Sequence, residues 1–151
     1  MPRQIAMLVA FVLVTAAVSA FGAIFRPGDW YAALAKPPWN PPNWVFAPVW
    51  TILYIMIAVA GWLAWRAEGF GRAVAIWALA LVANGLWSWI FFGRQLVGPA
   101  FVDIVLLLVL IASFIAATWT LSRTAALLFI PYFAWVAYAS TLNGAIWVLN
   151  R

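Results

Sequence analysis

Lys36-Pro37-Pro38-Trp39-Asn40-Pro41-Pro42-Asn43-Trp44-Val45-Phe46 sets four prolines and two tryptophans in eleven residues. Each proline fixes its own φ and biases the residue before it away from the α region. The stretch therefore reads as a shaped connector, not a slack one. It follows one long apolar run and leads straight into another. Crossing a membrane needs no such aromatic cluster. Rigid, flat aromatic surface beside a proline-stiffened connector points to a protein that holds a flat, apolar ligand.

Outward from this segment the chain is a series of apolar runs. Of 151 residues, 69% are hydrophobic and 7% charged, and the mean hydropathy is +1.07. A soluble domain carries about a quarter charged residues, so lipid must be the solvent for much of this surface. A membrane helix needs roughly 20 mostly apolar residues. Five such runs are expected at about 4–25, 44–66, 72–92, 99–121 and 124–149, with the shaped connection at 26–43. They make a single all-α, five-transmembrane-helix domain over residues 1–151. The run at 5–25 is longer than the apolar part of a signal peptide and leads into Arg26-Pro27-Gly28, so it reads as the first membrane helix.

The composition also narrows the chemistry. There is no Cys and no His, which removes disulfides, thiolate metal sites and the commonest general base and haem ligand. No metal site is expected. The net charge of +5 is not a nucleic-acid signal. Arg3, Arg26, Lys36, Arg66, Arg72, Arg94, Arg123 and Arg151 sit singly or in pairs at the ends of the apolar runs, as headgroup-seeking side chains do. With four on each side, the positive-inside rule assigns no orientation.

Local signals refine the picture. Asp29 to Leu34 can form one or two helical turns. Asn43 is placed as the N-cap of the second run, with Pro48 in its first turns. Pro99 is placed at the first position of the fourth, and Pro131 should bend the fifth. Short links should make successive helices antiparallel neighbours. Ala16 with Ala20, and Ser19 with Ala23, form small pairs at i,i+4 that allow close helix approach. Gly71 and Ala75 form another, suited to a dimer contact. Trp44, Trp62, Trp65, Trp119 and Trp147 fall at run ends and read as interfacial anchors.

Polar and aromatic residues inside the runs recur at helical spacing. Asn84, Trp87, Ser88 and Phe91 share one face, as do Trp135, Tyr138, Ala139 and Leu142, with Asn143 beside them. Trp50 and Tyr54 lie one turn apart. Polar groups are costly toward lipid, so these faces should turn inward. Helix–helix hydrogen bonding, at about 0.6–2 kcal/mol, is the simplest role for Asn84 taken alone. The bulk of Trp50, Trp87 and Trp135 argues for more. Three indoles pack poorly at the centre of so small a bundle, and an aromatic cavity with a few polar groups is the usual ligand site. For Asp103, near Arg94 in sequence, an ion pair or an interfacial position is expected at least as readily as a functional role.

The segment Trp30-Tyr31…Lys36 to Phe46…Trp50 closely resembles the signature of the translocator protein family. This is the TspO/MBR group, the tryptophan-rich sensory proteins or peripheral benzodiazepine receptors, here of bacterial type. The likeness continues in Asn84…Trp87-Ser88…Phe91-Phe92-Gly93 and Pro131-Tyr132-Phe133-Ala134-Trp135…Ala139…Leu142-Asn143, and spans essentially the whole chain.

The resemblance implies an integral, multi-pass bacterial membrane protein, commonly a homodimer, with a pocket under the first connection. It implies porphyrin-type ligands such as protoporphyrin IX, isoquinoline and benzodiazepine compounds, and in many cases sterols, with no required cofactor and no nucleic acid. Carried over residue by residue, the pocket positions are Trp30, Tyr31, Trp39, Trp50, Tyr54, Asn84, Trp87, Ser88, Phe91, Trp135, Ala139 and Leu142. Asn84 and Ser88 would supply hydrogen bonds, and Arg26 or Lys36 would pair with propionates. Two other readings stay open. One is light-dependent porphyrin degradation through Trp50 and Trp135. The other is a tetrapyrrole or stress sensor acting through a partner protein. The animal members' sterol pattern needs a basic residue soon after a tyrosine. Here Tyr138 is followed by none before Arg151.

Overall fold

The computed structural model describes all 151 residues, Met1–Arg151. The chain forms α1 (Pro2–Ile24), α2 (Asp29–Ala33), α3 (Phe46–Glu68), α4 (Arg72–Ser88), α5 (Val97–Thr118) and α6 (Arg123–Leu149). A 3₁₀ turn at Asn43–Val45 leads into α3, and a π turn at Trp89–Gly93 extends α4. All except α2 are long and apolar enough to cross a membrane. Helices suit that setting because each satisfies its backbone internally.

Several boundaries differ from expectation, each for a local reason. The Asn43 side chain makes no capping bond, because the residue is itself the first of the 3₁₀ turn. Val97, not Pro99, opens α5, which ends at Thr118, not Leu121. There the Ser122 N–H closes a turn on the Thr118 carbonyl (2.8 Å), and the Ser122 hydroxyl accepts the Ala125 N–H (3.4 Å) to start α6. Between α3 and α4, Gly69 takes the left-handed φ of 73° that ends a helix. The Glu68 carboxylate then accepts the first-turn N–H of Ala73.

The helices close into a ring in the order α1, α3, α6, α5, α4. Successive helices are flanking neighbours with one exception: α3 is flanked by α1 and α6, and meets α4 across the interior. Trp77 of α4 explains the contact. Its indole lies where Gly61 of α3 has no side chain, its Nε1 donates to the Ile57 carbonyl (2.8 Å), and Phe11 of α1 meets it edge-on at 4.8 Å. Two turns further along, the Tyr54 hydroxyl bridges to Asn84. Beyond that bridge a cavity separates the two helices.

At the far side Phe114, Phe129 and Tyr132 fill the α5–α6 seam, with ring centroids 4.0 and 5.3 Å apart. Both rims carry Arg–Trp pairs. Arg3 lies over Trp65, Arg66 over Trp62 and Arg123 over Trp119 at one rim; Arg94 over Trp89 and Arg151 over Trp147 at the other. Arg94 thus faces an indole and not Asp103. The expected ion pair is not made: Asp103 is buried with Oδ2 lacking a hydrogen-bond partner.

Candidate functional site

The cavity, about 480 Å3, lies under the connection between α1 and α3 and reaches about halfway down the bundle. Its volume falls within the range of small-molecule sites, roughly 300–1,000 Å3. Ten of the twelve residues singled out from sequence line it: Tyr31, Trp50, Tyr54, Asn84, Trp87, Ser88, Phe91, Trp135, Ala139 and Leu142. Trp30 and Trp39 do not. Trp30 packs edge-on against Phe91 (5.8 Å) from outside the cavity wall, and Trp39 is half exposed. What Trp39 contributes is its carbonyl, which accepts the Tyr138 hydroxyl. Tyr138, on the same stripe as Trp135, is therefore spent on fastening the connection.

The connection is a roof fixed at several points. Tyr31 of α2 is buried against Phe91 and Phe92 (6.2 and 5.4 Å), and burial pushes its hydroxyl pKa up. Lys36 donates to the Ala32 and Leu34 carbonyls and lies 4.5 Å above the Tyr31 ring. Two of its three N–H donors are thus used within the roof, and Lys36 does not line the cavity. Asn150, just after α6, exchanges two 2.9 Å hydrogen bonds with the Ala35 backbone. Two such bonds contribute about 0.5–1.5 kcal/mol each. Asn150→Ala should therefore raise hydrogen-exchange rates across residues 29–36 by about tenfold, measured by mass spectrometry in lipid nanodiscs.

The polar groups of the walls divide into spent and free. Asn84 accepts from Tyr54 (2.8 Å) and donates to the Tyr132 hydroxyl (2.7 Å), so both ends of its amide tie helices together. Its second N–H and second carbonyl lone pair are used by neither bond. Trp87 Nε1 donates to Asn143 Oδ1 (2.9 Å), while Asn143 Nδ2 donates to the Val97 carbonyl. The Trp87 ring stacks on Phe91 at 4.9 Å. Trp135 differs: its Nε1 is buried without a hydrogen-bond partner, while its ring meets Phe46 edge-on and Tyr138 at a tilt. Asn40 Oδ1, from the roof, is likewise buried and unpartnered. Ser88 lies against Gly22 of α1.

Sequence reasoning missed part of the lining. Asn40, Asn43, Phe46, Ala47 and Thr51 come from the roof and the start of α3, and Ile104 and Leu107 from α5. Asn43, Ala47 and Thr51 recur every four residues, a signal available from the start. Phe91 and Phe92 both reach the cavity, although neighbours in a regular helix diverge by about 100°. They do so in the π turn, in which Arg94 N–H bonds the Trp89 carbonyl.

Residues 9–148 match the TspO/MBR family. The chain is 41% identical to the tryptophan-rich protein TspO of Chlorobaculum tepidum, over 99% of both chains. It is 35% identical to the tryptophan-rich sensory protein of Cereibacter sphaeroides, over 96% of this chain and 92% of the relative. It is also 38% identical to the translocator protein of Homo sapiens, over 86% and 82%. With five apolar spans in one ring and relatives matched over nearly their full lengths, the chain is an integral, multi-pass membrane protein that belongs to the TspO/MBR family.

Proposed function

We propose that this protein is a membrane receptor or carrier that binds a porphyrin-type tetrapyrrole in the cavity beneath the roof. The observation that carries the reading is the pairing of broad indole walls, Trp50 and Trp135, with an unpartnered Trp135 N–H. A flat macrocycle offers π surface to the walls, and its edge or substituents offer an acceptor to that N–H. Aromatic stacking contributes about 1–3 kcal/mol per contact, judged from base stacking. Arg26, exposed at the cavity rim, is placed to meet an acidic substituent. The chain has no His or Cys to serve as an axial ligand, so a metal-free macrocycle is the better match.

The test is titration of protoporphyrin IX into the protein in nanodiscs, followed by tryptophan fluorescence. Saturable quenching is expected. Trp135→Phe keeps most of the ring surface and removes the N–H, and should weaken binding about fivefold, the scale of one hydrogen bond. Quenching that rises linearly without saturating would refute the reading.

A further inference from the structure

The cavity is closed on most sides. On α5 and α6, Ile104, Leu107 and Val136 are buried. Above, the roof is fastened to α6 through Asn150 and Tyr138. Towards α1 and α3 the wall differs. Ala23 of α1 and Ala47 and Thr51 of α3 line the cavity and are exposed. Ser19, one turn before Ala23, is half-buried and lines it too. The residues along these edges are small until the rim, where Phe25 and Phe46 also line the cavity.

The two helices nevertheless touch elsewhere. Trp62 of α3 donates to the Gln4 carbonyl (3.1 Å), and Phe11 of α1 lies against Gly61. They are held together at that end, and at the other both border the cavity. From Asn43 to Thr51 is eight residues, about 12 Å at the helical rise. The gap thus runs from the rim well into a hydrocarbon core of roughly 30 Å.

We infer that this gap between the end of α1 and the start of α3 is a door to the bilayer, through which the ligand enters and leaves sideways. The inference rests on the binding reading above. The molecule that fits is flat and mainly apolar, already dissolved in lipid, with an acidic group on its trailing edge. Arg26 stands at the headgroup end of the gap and is held there by a hydrogen bond from Nε to the Ala23 carbonyl (3.3 Å). An acid left at that level keeps its hydration while the apolar body passes inward, so the charge is not carried into hydrocarbon. The roof need not open.

Because the chain has no Cys, the test is direct. Ala23→Cys with Ala47→Cys, bridged by a short bismaleimide in nanodiscs, closes the gap. Ala35→Cys with Asn150→Cys, bridged in the same way, locks the roof. Stopped-flow quenching with protoporphyrin IX reads both rates. Bridging the gap should slow association and dissociation at least tenfold each. Locking the roof should change neither. Ala47→Trp, a plug on an exposed face, should slow both rates without any cross-link. Unchanged rates with the gap bridged, or slowing by the roof lock, would overturn the door while leaving the cavity intact. Failure of the unmodified protein to bind porphyrin would remove the binding reading, and the door with it.

Discussion

Replacing Trp50 and Trp135 together by alanine is expected to weaken porphyrin binding at least thirty-fold. The two indoles stand on α3 and α6, flanking helices whose inner faces meet at the cavity. Trp50 is braced by Tyr54 at 5.5 Å and by the edge of Tyr132 at 6.3 Å; Trp135 is braced by Phe46 at 5.8 Å. Bracing lowers the ordering cost of binding. Losing two contacts of about 1–3 kcal/mol each, at 1.4 kcal/mol per tenfold in affinity, gives the expected factor. Both residues are only partly buried, so truncation enlarges the cavity more than it breaks the core. Circular dichroism should stay helical while saturable quenching, read from the remaining tryptophans, is lost. Affinity equal to that of the unmodified protein would place the ligand elsewhere.

Gly61→Val should strongly destabilise the bundle. A Cβ at Gly61 would lie 2.5 Å from the Trp77 indole and 2.9 Å from the Phe11 ring. Neither ring has room to retreat, because both are almost fully buried and Trp77 is also tied to the Ile57 carbonyl. Relief requires α3 to move away from α1 and α4 together. Overpacking of a filled core costs about 1–3 kcal/mol, and this site should reach the upper end. The measurement is thermal unfolding in detergent, with Gly28→Ala as control. A Cβ at Gly28 meets nothing within 4 Å, and its φ of −124° is open to any residue. Equal melting temperatures for Gly61→Val and the control would refute the wedge.

Much of this architecture was legible from side-chain spacing. Five apolar runs with charges only at their ends left few alternatives to a helical bundle in lipid, and the four-residue rhythm of Asn84, Trp87, Ser88 and Phe91 put them on one wall. What spacing does not carry is who pairs with whom. Spacing favours helix glue for Asn84 taken alone but names no partner. Tyr54 and Tyr132, arriving at its two ends, are those partners. Asp103 lies close to Arg94 along the chain, yet the guanidinium turns to Trp89, because a rim indole is nearer to hand than a carboxylate buried inside the bundle. The small pair Ser19 and Ala23 permits close approach but does not compel it, and here it borders an opening. Trp39 illustrates a further limit, since a main-chain carbonyl does its work and no sequence pattern marks a carbonyl.

α1 buries only Phe11 and Thr15 along its whole length. Most of its surface faces outward, so bilayer thickness acts on its tilt alongside its contacts with α3 and α4. If α1 forms one jamb of the proposed door, the host membrane would act as a rheostat for ligand exchange. The same polypeptide would trade its guest at different speeds in short-chain and long-chain lipid, without a single altered residue.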